Sequence, residues 1–259
     1  MQRVELSIIV PVFNEEDILW KMSETLGNHL DRIVGQDRWK YIFVDNGSTD
    51  KTPQLINEIK QKYPQSQSLL LDHPNYGDAL HAGLMAADTD YAFIINVDFW
   101  DDILLDWCWK CRGRYDLVLG SKRADTTLNK QNKYRQTLSW GLNLVLQFFF
   151  GFVGTDTHGQ KFIKMGKMRP IFSACQMRRG QYDTEFTLRA MRAGLWLAEV
   201  PVPIVEERPQ RNLMLKKIVW NVRDIFRLKR HLNKVPFTGP LRYHRWARED
   251  VINQQCQIY

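Results

Sequence analysis

The stretch Tyr41-Ile42-Phe43-Val44-Asp45-Asn46-Gly47-Ser48-Thr49-Asp50 decides the fold. An apolar run without a polar break ends at a carboxylate. A strand that is apolar on both sides must be covered on both faces, which is the environment of a parallel sheet. Asp45-Asn46-Gly47 has turn chemistry, and Ser48-Thr49-Asp50 has the residues that cap a helix. The same order occurs earlier, where Leu6–Val10 runs into Pro11-Val12-Phe13-Asn14-Glu15-Glu16. Further short runs predict strands at Ser68–Leu71, Tyr91–Ile95 and Leu117–Leu119. Helical patterns fill the gaps at Glu15–Leu30, Thr52–Tyr63, Asp78–Ala87 and Ile103–Arg112. This alternation predicts an α/β fold, a mostly parallel sheet flanked by helices. Ligands of such sheets bind beyond the carboxyl ends of the strands, so the residues just after each strand matter most.

The composition agrees. The chain has 259 residues, 44% hydrophobic and 25% charged, which fits one large domain with a small appendage and excludes a disordered chain. The net charge of +7 favours phosphate-bearing partners. The longest apolar stretch, Leu142–Val153, is broken by Asn143, Gln147 and Gly151 and is shorter than the roughly 18 residues of a spanning helix. The first strand starts almost at Met1, leaving no room for a signal peptide. The expectation is a cytoplasmic protein with its four cysteines reduced.

The second half is less regular. Tyr134–Phe150 reads as a long apolar helix, Thr155–Lys161 as a polar loop, Tyr182–Gly194 as a helix and Leu197–Pro203 as a strand. From Arg211, apolar residues recur at helical spacing at Leu215, Ile218, Val219, Val222, Ile225, Phe226 and Leu232. The opposite face collects Lys216, Lys217, Arg223, Arg227, Lys229 and Arg230, so most of the net charge sits here. Residues 211–232 therefore form a basic amphipathic helix after a domain spanning residues 1–210. Either the helix lies on an anionic membrane, with Leu215, Trp220 and Phe226 in the acyl boundary, or it packs on the domain with a solvated basic face. Nothing resembles a nucleic-acid-binding motif. The tail, residues 233–259, has no clear period and is expected to be loosely ordered.

Each polar loop has two readings. Asn96-Val97-Asp98 follows a buried strand; its carboxylate suits a divalent ion on a diphosphate, or the segment is a turn ahead of a helix capped by Asp101 or Asp102. Asp45 can accept hydrogen bonds from a base or ribose, or merely close a turn. Asn75-Tyr76-Gly77-Asp78-Ala79-Leu80 can start a helix or let a nucleotide approach the backbone at Gly77. Cys108 and Cys111 form a C-x-x-C inside a helical run, which favours core packing over a redox or zinc site. His158 lies in a polar loop and is a site candidate; His81 reads as structural.

Taken together, Pro-Val-Phe-Asn-Glu-Glu, Val-Asp-Asn-Gly-Ser-Thr-Asp, Asn-Tyr-Gly-Asp-Ala and Asn-Val-Asp, in this order and spacing, resemble the family-2 glycosyltransferases of the GT-A fold. The likeness is close to polyprenyl-phosphate sugar transferases of the dolichyl-phosphate mannose synthase type. It continues through Leu119–Arg123, Thr155–Gly159, Tyr182–Glu185 and Glu199–Val202, covering roughly residues 5 to 210. The resemblance implies inverting, metal-dependent transfer of a hexose from a nucleotide-diphosphate sugar to an acceptor. That acceptor would be polyprenyl phosphate or, alternatively, a hydroxyl of a surface glycan. It implies that Pro11, Phe13, Asn14 and Glu15 flank the base and ribose and that Asp45 and Asn46 bind there. Gly77 and Ala79 sit beside the nucleotide. Asp98, with Asn96, holds Mg²⁺ or Mn²⁺. Asp156, Lys122 and Lys161 face the diphosphate and acceptor, with Glu185 near the acceptor. A hydroxyl acceptor needs a base, for which Asp183 and Glu185 are the candidates. The family usually has Asp where this chain has Asn96, and Asp-Pro-Thr-Ser-Gly-Phe-Arg where it has Asp156-Thr157-His158-Gly159-Gln160-Lys161. The first departure also motivates a non-enzyme alternative, a nucleotide-sugar-binding protein with a weakened metal site.

Overall fold

The computed structural model describes residues 3–128, 133–203 and 214–256, and of residues 126, 133–139, 142 and 214–222 the backbone alone. Eight strands form one sheet: β1 (Leu6–Val12), β2 (Trp39–Asp45), β3 (Gln67–Leu70), β4 (Tyr91–Ile94), β5 (Leu117–Ser121), β6 (Lys161–Lys164), β7 (Trp196–Pro201) and β8 (Arg242–Arg245). Their order across the sheet is β3-β2-β1-β4-β6-β5-β7-β8. All neighbours are parallel except β6, which runs antiparallel to both β4 and β5. The expected mostly parallel sheet is therefore present.

β1 and β2 are buried almost throughout. Helices α1 (Leu19–Ile33), α2 (Thr52–Lys62), α4 (Asp102–Lys110) and α9 (Arg248–Ile252) cover one face of the sheet. The other face packs against α3 (Tyr76–Ala86), α5 (Lys133–Phe150), α6 (Met165–Ala174), α7 (Tyr182–Arg192) and α8 (Met214–Leu232). Helix α3 lies especially close because of Gly83. A Cβ there would meet Ile9 Cγ2 at 2.6 Å and Val44 Cγ2 at 3.1 Å.

Three expectations are corrected. β6 and α6 occupy a stretch that carried no strand or helix assignment. Lys161-Phe162-Ile163-Lys164 is only four residues long, too short to show a period. The tail is not loosely ordered, for β8 pairs with β7 from Trp196↔Arg242 to Glu199↔Arg245. Trp246, buried at 4%, lies edge-on to Trp107 and donates from Nε1 to Tyr115 Oη at 3.0 Å. The cysteines are not all reduced: Cys111 is bonded to Cys256, with Cα atoms 5.6 Å apart. Their separation of 145 residues hides the pairing from local spacing; the return path through β8 and α9 brings the tail to the end of α4. Cys108 is buried in the core, and burial pushes its thiol pKa well up, which suits packing rather than redox chemistry.

The basic segment is a helix, α8. Arg211 lies outside the described residues, as do the side chains of Leu215, Lys216, Lys217, Ile218, Val219, Trp220 and Val222. Further along, Leu228 and Leu232 are fully buried, with Ile225 packed beside them.

If the tail is part of the core, Trp246→Ala should lower the unfolding free energy by about 3–5 kcal/mol, the usual result of emptying a buried aromatic site. Urea titration followed by circular dichroism measures this. A loss below about 1 kcal/mol, within the range of surface substitutions and small rearrangements, would show that the tail is peripheral to the fold.

Candidate active site

The sheet order reverses direction between β1 and β4, since β2 and β3 follow on one side and the later strands on the other. In open α/β sheets, that is where a crevice forms at the carboxyl ends. The loops after β1, β2 and β4 meet there.

The first two are stitched together. Asn14 adopts a left-handed conformation, with φ of 54°. Its amide nitrogen donates to Ser48 Oγ at 2.9 Å, and its side-chain oxygen accepts from the Thr49 amide at 2.8 Å. The Glu15 amide donates to Thr52 Oγ1 at 2.8 Å, and the Glu16 amide to Asp50 Oδ2 at 3.2 Å. Pro11 is half-buried and pairs in register with Val44, while Phe13 projects into solvent, 44% exposed. Asp45, at the tip of β2, is buried. Its Oδ1 accepts from the Ser48 amide, but Oδ2 is buried with no partner among the described residues. An orphaned acceptor of this kind calls for a hydrogen-bond donor from a ligand or from water. Asn46 uses its side-chain oxygen to accept from the Asn75 amide at 2.7 Å, which fixes the entry to α3. Gly77 is packed so closely on Arg178 that a Cβ would collide with that residue's carbonyl oxygen. Ala79 is fully buried in the core under α3, so it supports the helix rather than lining the crevice.

After β4, Asn96 and Asp98 are both exposed in a tight turn closed by the Phe99 amide donating to the Asn96 carbonyl at 3.3 Å. Among the described residues no group of three or more His, Cys, Asp or Glu could enclose a metal. A divalent ion that arrives on a diphosphate needs only one or two carboxylates from the protein, so Asp98 fits that role.

The reversed strand β6 delivers the next functional group. Because it is antiparallel, its first residue, Lys161, stands opposite Ile94 and Leu119, near the carboxyl ends of β4 and β5. Lys161 is only 2% exposed. Its Nζ donates to the Gly159 carbonyl at 2.9 Å and to Asp183 Oδ2 at 3.3 Å. His158 Nε2 lies 3.6 Å from Asp183 Oδ1 and 3.2 Å from the Gly180 carbonyl. Burial raises the Tyr76 hydroxyl pKa, and Asp183 and Asp98 push it the same way, so both carboxylates act on one phenol. Asp183, Lys161 and His158 thus form one cluster, and Tyr76 feels the charge of both Asp183 and Asp98.

Asp156 is buried beside it. Burial raises its pKa, opposed by the positive charges of Lys122, His158 and Lys161. Its Oδ1 accepts from the His158 amide, and Oδ2 has no partner among the described residues. Lys122 is half-buried after β5.

Glu185 stands differently. It has no solvent exposure, and both its oxygens are occupied. Oε1 accepts from Arg189 at 2.8 Å, and Oε2 from the amides of Gln176 and Met177 at 2.8 and 2.6 Å. It holds the segment before α7 in place and has no lone pair directed at an acceptor.

Sequence reasoning assigned no role to Tyr76, Arg178 or Glu199. Arg178 Nη1 is buried with no partner among the described residues. Glu199 Oε1 accepts from the Thr155 amide and hydroxyl at 2.7 Å each and from the Asp156 amide at 3.3 Å. Its Oε2 accepts from Tyr243 at 2.6 Å and Arg245 at 2.9 Å. A charged residue inside an otherwise apolar strand, Leu197-Ala198-Glu199-Val200, was the available signal for this last residue.

Among known proteins, the chain is 28% identical over 214 residues to a dolichyl-phosphate beta-glucosyltransferase of Trichomonas vaginalis, covering 77% of this chain and 65% of that protein. It is 25% identical over 245 residues to the dolichyl-phosphate beta-glucosyltransferase of Dictyostelium discoideum, covering 88% and 75%. The chain thus spans about two thirds to three quarters of the length of these relatives. A bactoprenol glucosyl transferase of Shigella phage SfV is 30% identical over 141 residues, covering 53% and 44%. In fold it is similar to the mannosyltransferase of Pyrobaculum calidifontis solved with GDP-Man and Mn²⁺, with a TM-score of 0.56 at 19% identity, covering 88% of this chain and 65% of that one. The model of glycosyl transferase family 2 matches residues 7–152, more than half of the sequence, and the chain belongs to that family.

Proposed function

We propose that the protein is an inverting, metal-dependent enzyme that transfers a hexose from a nucleotide-diphosphate sugar to polyprenyl phosphate. The observation that carries the choice of acceptor is the engagement of Asp183 with Lys161 and His158. A hydroxyl acceptor requires a base, and the candidate carboxylates are occupied: Glu185 by its donors, Asp183 by Lys161 Nζ and the Thr184 amide. A phosphate acceptor is already an anionic nucleophile and needs none. The names of the Trichomonas, Dictyostelium and phage relatives support a lipid-phosphate acceptor and glucose as the hexose.

In this reading the base and ribose lie against Pro11, Phe13 and the stitched loops, with the free oxygen of Asp45 accepting one of their donors. Gly77 lets the start of α3 pack directly on the Arg178 backbone. Asp98, assisted by the amide oxygen of Asn96, would hold Mg²⁺ or Mn²⁺; when bound, the ion supplies positive charge beside the departing diphosphate. Lys122 and Lys161 add cationic charge to the same region, and His158 and Arg178 steady the acceptor phosphate. An acceptor oxygen attacks the anomeric carbon from the face opposite the diphosphate. The new C–O bond forms as the old one breaks, and the electron pair leaves with the nucleoside diphosphate. No proton has to be removed from the nucleophile.

Incubating labelled nucleotide sugars with polyprenyl phosphate and Mn²⁺ should move label into an organic-extractable product. Label found only in a water-soluble glycan would overturn the acceptor and favour the hydroxyl reading. Asp98→Ala should lower kcat about 10²-fold or more. Since Asp98 is exposed, the circular dichroism spectrum and melting temperature should stay put; unchanged turnover would remove Asp98 from the site.

Asp156 gives a separate test. Its folded pKa lies above the ordinary carboxylate value because of burial. The folded state therefore retains a proton that the unfolded state releases, and stability attributable to this group falls as pH rises through that window. Asp156→Asn, which cannot titrate, should gain melting temperature relative to the parent protein as pH rises above the ordinary carboxylate range. A pH-independent difference would show that the buried carboxyl is not strained. The same variant should turn over more slowly, if the unpartnered oxygen serves the substrate.

A further inference from the structure

The foot of the sheet, at the end away from the crevice, carries a second concentration of charge. A cavity of about 320 Å³ opens there, lined by Arg114, Asp116, Lys164, Lys167, Trp196 and Arg242. Four of these stand in a row that the backbone sets. The Lys164 amide donates to the Asp116 carbonyl at 3.0 Å, and the Asp116 amide to the Trp196 carbonyl at 2.8 Å. Trp196 pairs in register with Arg242. Adjacent strands lie about 4.8 Å apart, so the row runs about 14 Å from Lys164 to Arg242. Helix α6 begins one residue after Lys164, with no side chain capping it and no acid in its first turn. Its positive end opens on the same edge.

Asp116 is the one acid lining the cavity, and it is occupied. Its Oδ2 accepts from the Trp196 amide at 2.9 Å, and its Oδ1 lies 3.2 Å from Lys167 Nζ. The next acid along the edge, Asp90, is paired with Arg3 at 2.8 Å. Lys164 and Arg242 have no acidic partner among the described residues. Arg114 gives Nη1 to the Cys256 carbonyl, while its Nε is buried with no partner among the described residues. Four cationic side chains thus share one cavity with one engaged carboxylate. Like charges so gathered repel, and an anion placed among them turns that repulsion into attraction. The geometry points to a second anion site here, for a compact polyphosphate, either an inorganic chain or the phosphates of a nucleotide. Guanidinium forks match phosphate oxygens, and the row is longer than one phosphate can span. Trp196, 36% exposed and with the Arg242 guanidinium 5.8 Å from its ring centre, closes one end with an apolar wall. This site is distinct from the crevice. Strand β6 has Lys161 at one end, in the cluster with Asp183, and Lys164 at the other, about 10 Å away at the rise of a strand. The site asks nothing of the acceptor class.

Calorimetric titration of the full chain with pyrophosphate, in EDTA so that no divalent ion bridges to the crevice, tests the site. The parent protein should bind pyrophosphate, and Asp98→Ala should bind it equally well. Lys164→Ala/Arg242→Ala should weaken binding about tenfold or more, since two charge-assisted contacts are lost. Orthophosphate, too short for the row, should bind about tenfold more weakly than pyrophosphate. ADP separates the two sources. Affinity above that of pyrophosphate, with the gain lost in Trp196→Ala, marks a nucleotide; otherwise the inorganic chain is the occupant. A second measurement needs no variant. Acetylation of the parent protein, read by peptide mass spectrometry, should be slowed by pyrophosphate at Lys164 and Lys167 and unchanged at Lys122. No binding at millimolar pyrophosphate, equal binding by the paired alanine variant, equal affinity for citrate, or protection at Lys122 in place of Lys164 would overturn the site.

Discussion

Glu199 lies on β7, one strand in from the edge of the sheet, with no solvent exposure, and an ionised carboxylate there is tolerable only if every lone pair is met. Five donors meet it. Three come from Thr155 and Asp156, and two from Tyr243 and Arg245. One group therefore binds the loop after α5 to the strand that closes the sheet. The Tyr243 hydroxyl is held far above its ordinary pKa by burial and by the charge of Glu199 beside it, so it stays a donor. Removing any partner would leave part of a buried charge unanswered, which costs more than the bond itself contributes. This explains why residues 242–245 pair as a strand instead of trailing from the domain. It also explains why the Thr155–Asp156 backbone is fixed before any substrate arrives.

From that anchored loop the charge of the crevice is set out in order. Asp156 stands next to His158, His158 beside Asp183, and Asp183 against Lys161. Lys161 reaches this position only because β6 runs against its neighbours. A parallel strand would put its first residue at the opposite end of the sheet, away from the crevice. The reversal between β4 and β5 is thus what places a buried cation among the strand tips. Among the buried polar atoms without a partner among the described residues are Asp45 Oδ2, Asp156 Oδ2 and Arg178 Nη1. Buried polar atoms in native interiors usually find a partner, so each of these can meet a polar ligand or water.

Legibility in the sequence followed the length of each signal. β1, β2, β4 and β5 were readable to within two residues at most boundaries, because continuous apolar runs stop abruptly at Pro11, Asp45, Asn96 and Ser121. Helix α1 starts at Leu19 and not at Glu15, since Asn14, Glu15 and Glu16 are taken up in hydrogen bonds to the loop after β2. No local pattern carries that information. β6 was invisible for its brevity, and β8 for its polar composition, Arg-Tyr-His-Arg. The site showed the same division. Asp45, Asp98, Asp156, Lys161 and Asp183 were named from position or resemblance; Asp45 ends β2, Asp98 follows β4, and Lys161 contacts Asp183. Asp183 and Glu185 are two residues apart on one helix and cannot be told apart by sequence. Their partners separate them: Lys161 and His158 for the first, Arg189 and two amides for the second.

The anchored loop also gives the two ends of the reaction different mechanical settings. After β1 and β2, Asn14, Ser48, Thr49 and Thr52 lock two loops to each other by short backbone-to-side-chain bonds, so this side of the crevice is preformed. Preformed polar groups lose little freedom when a ligand binds. On the acceptor side the loop is held from below by Glu199 and from the flank by Asn143 of α5, whose Nδ2 donates to the Gly154 carbonyl at 3.3 Å.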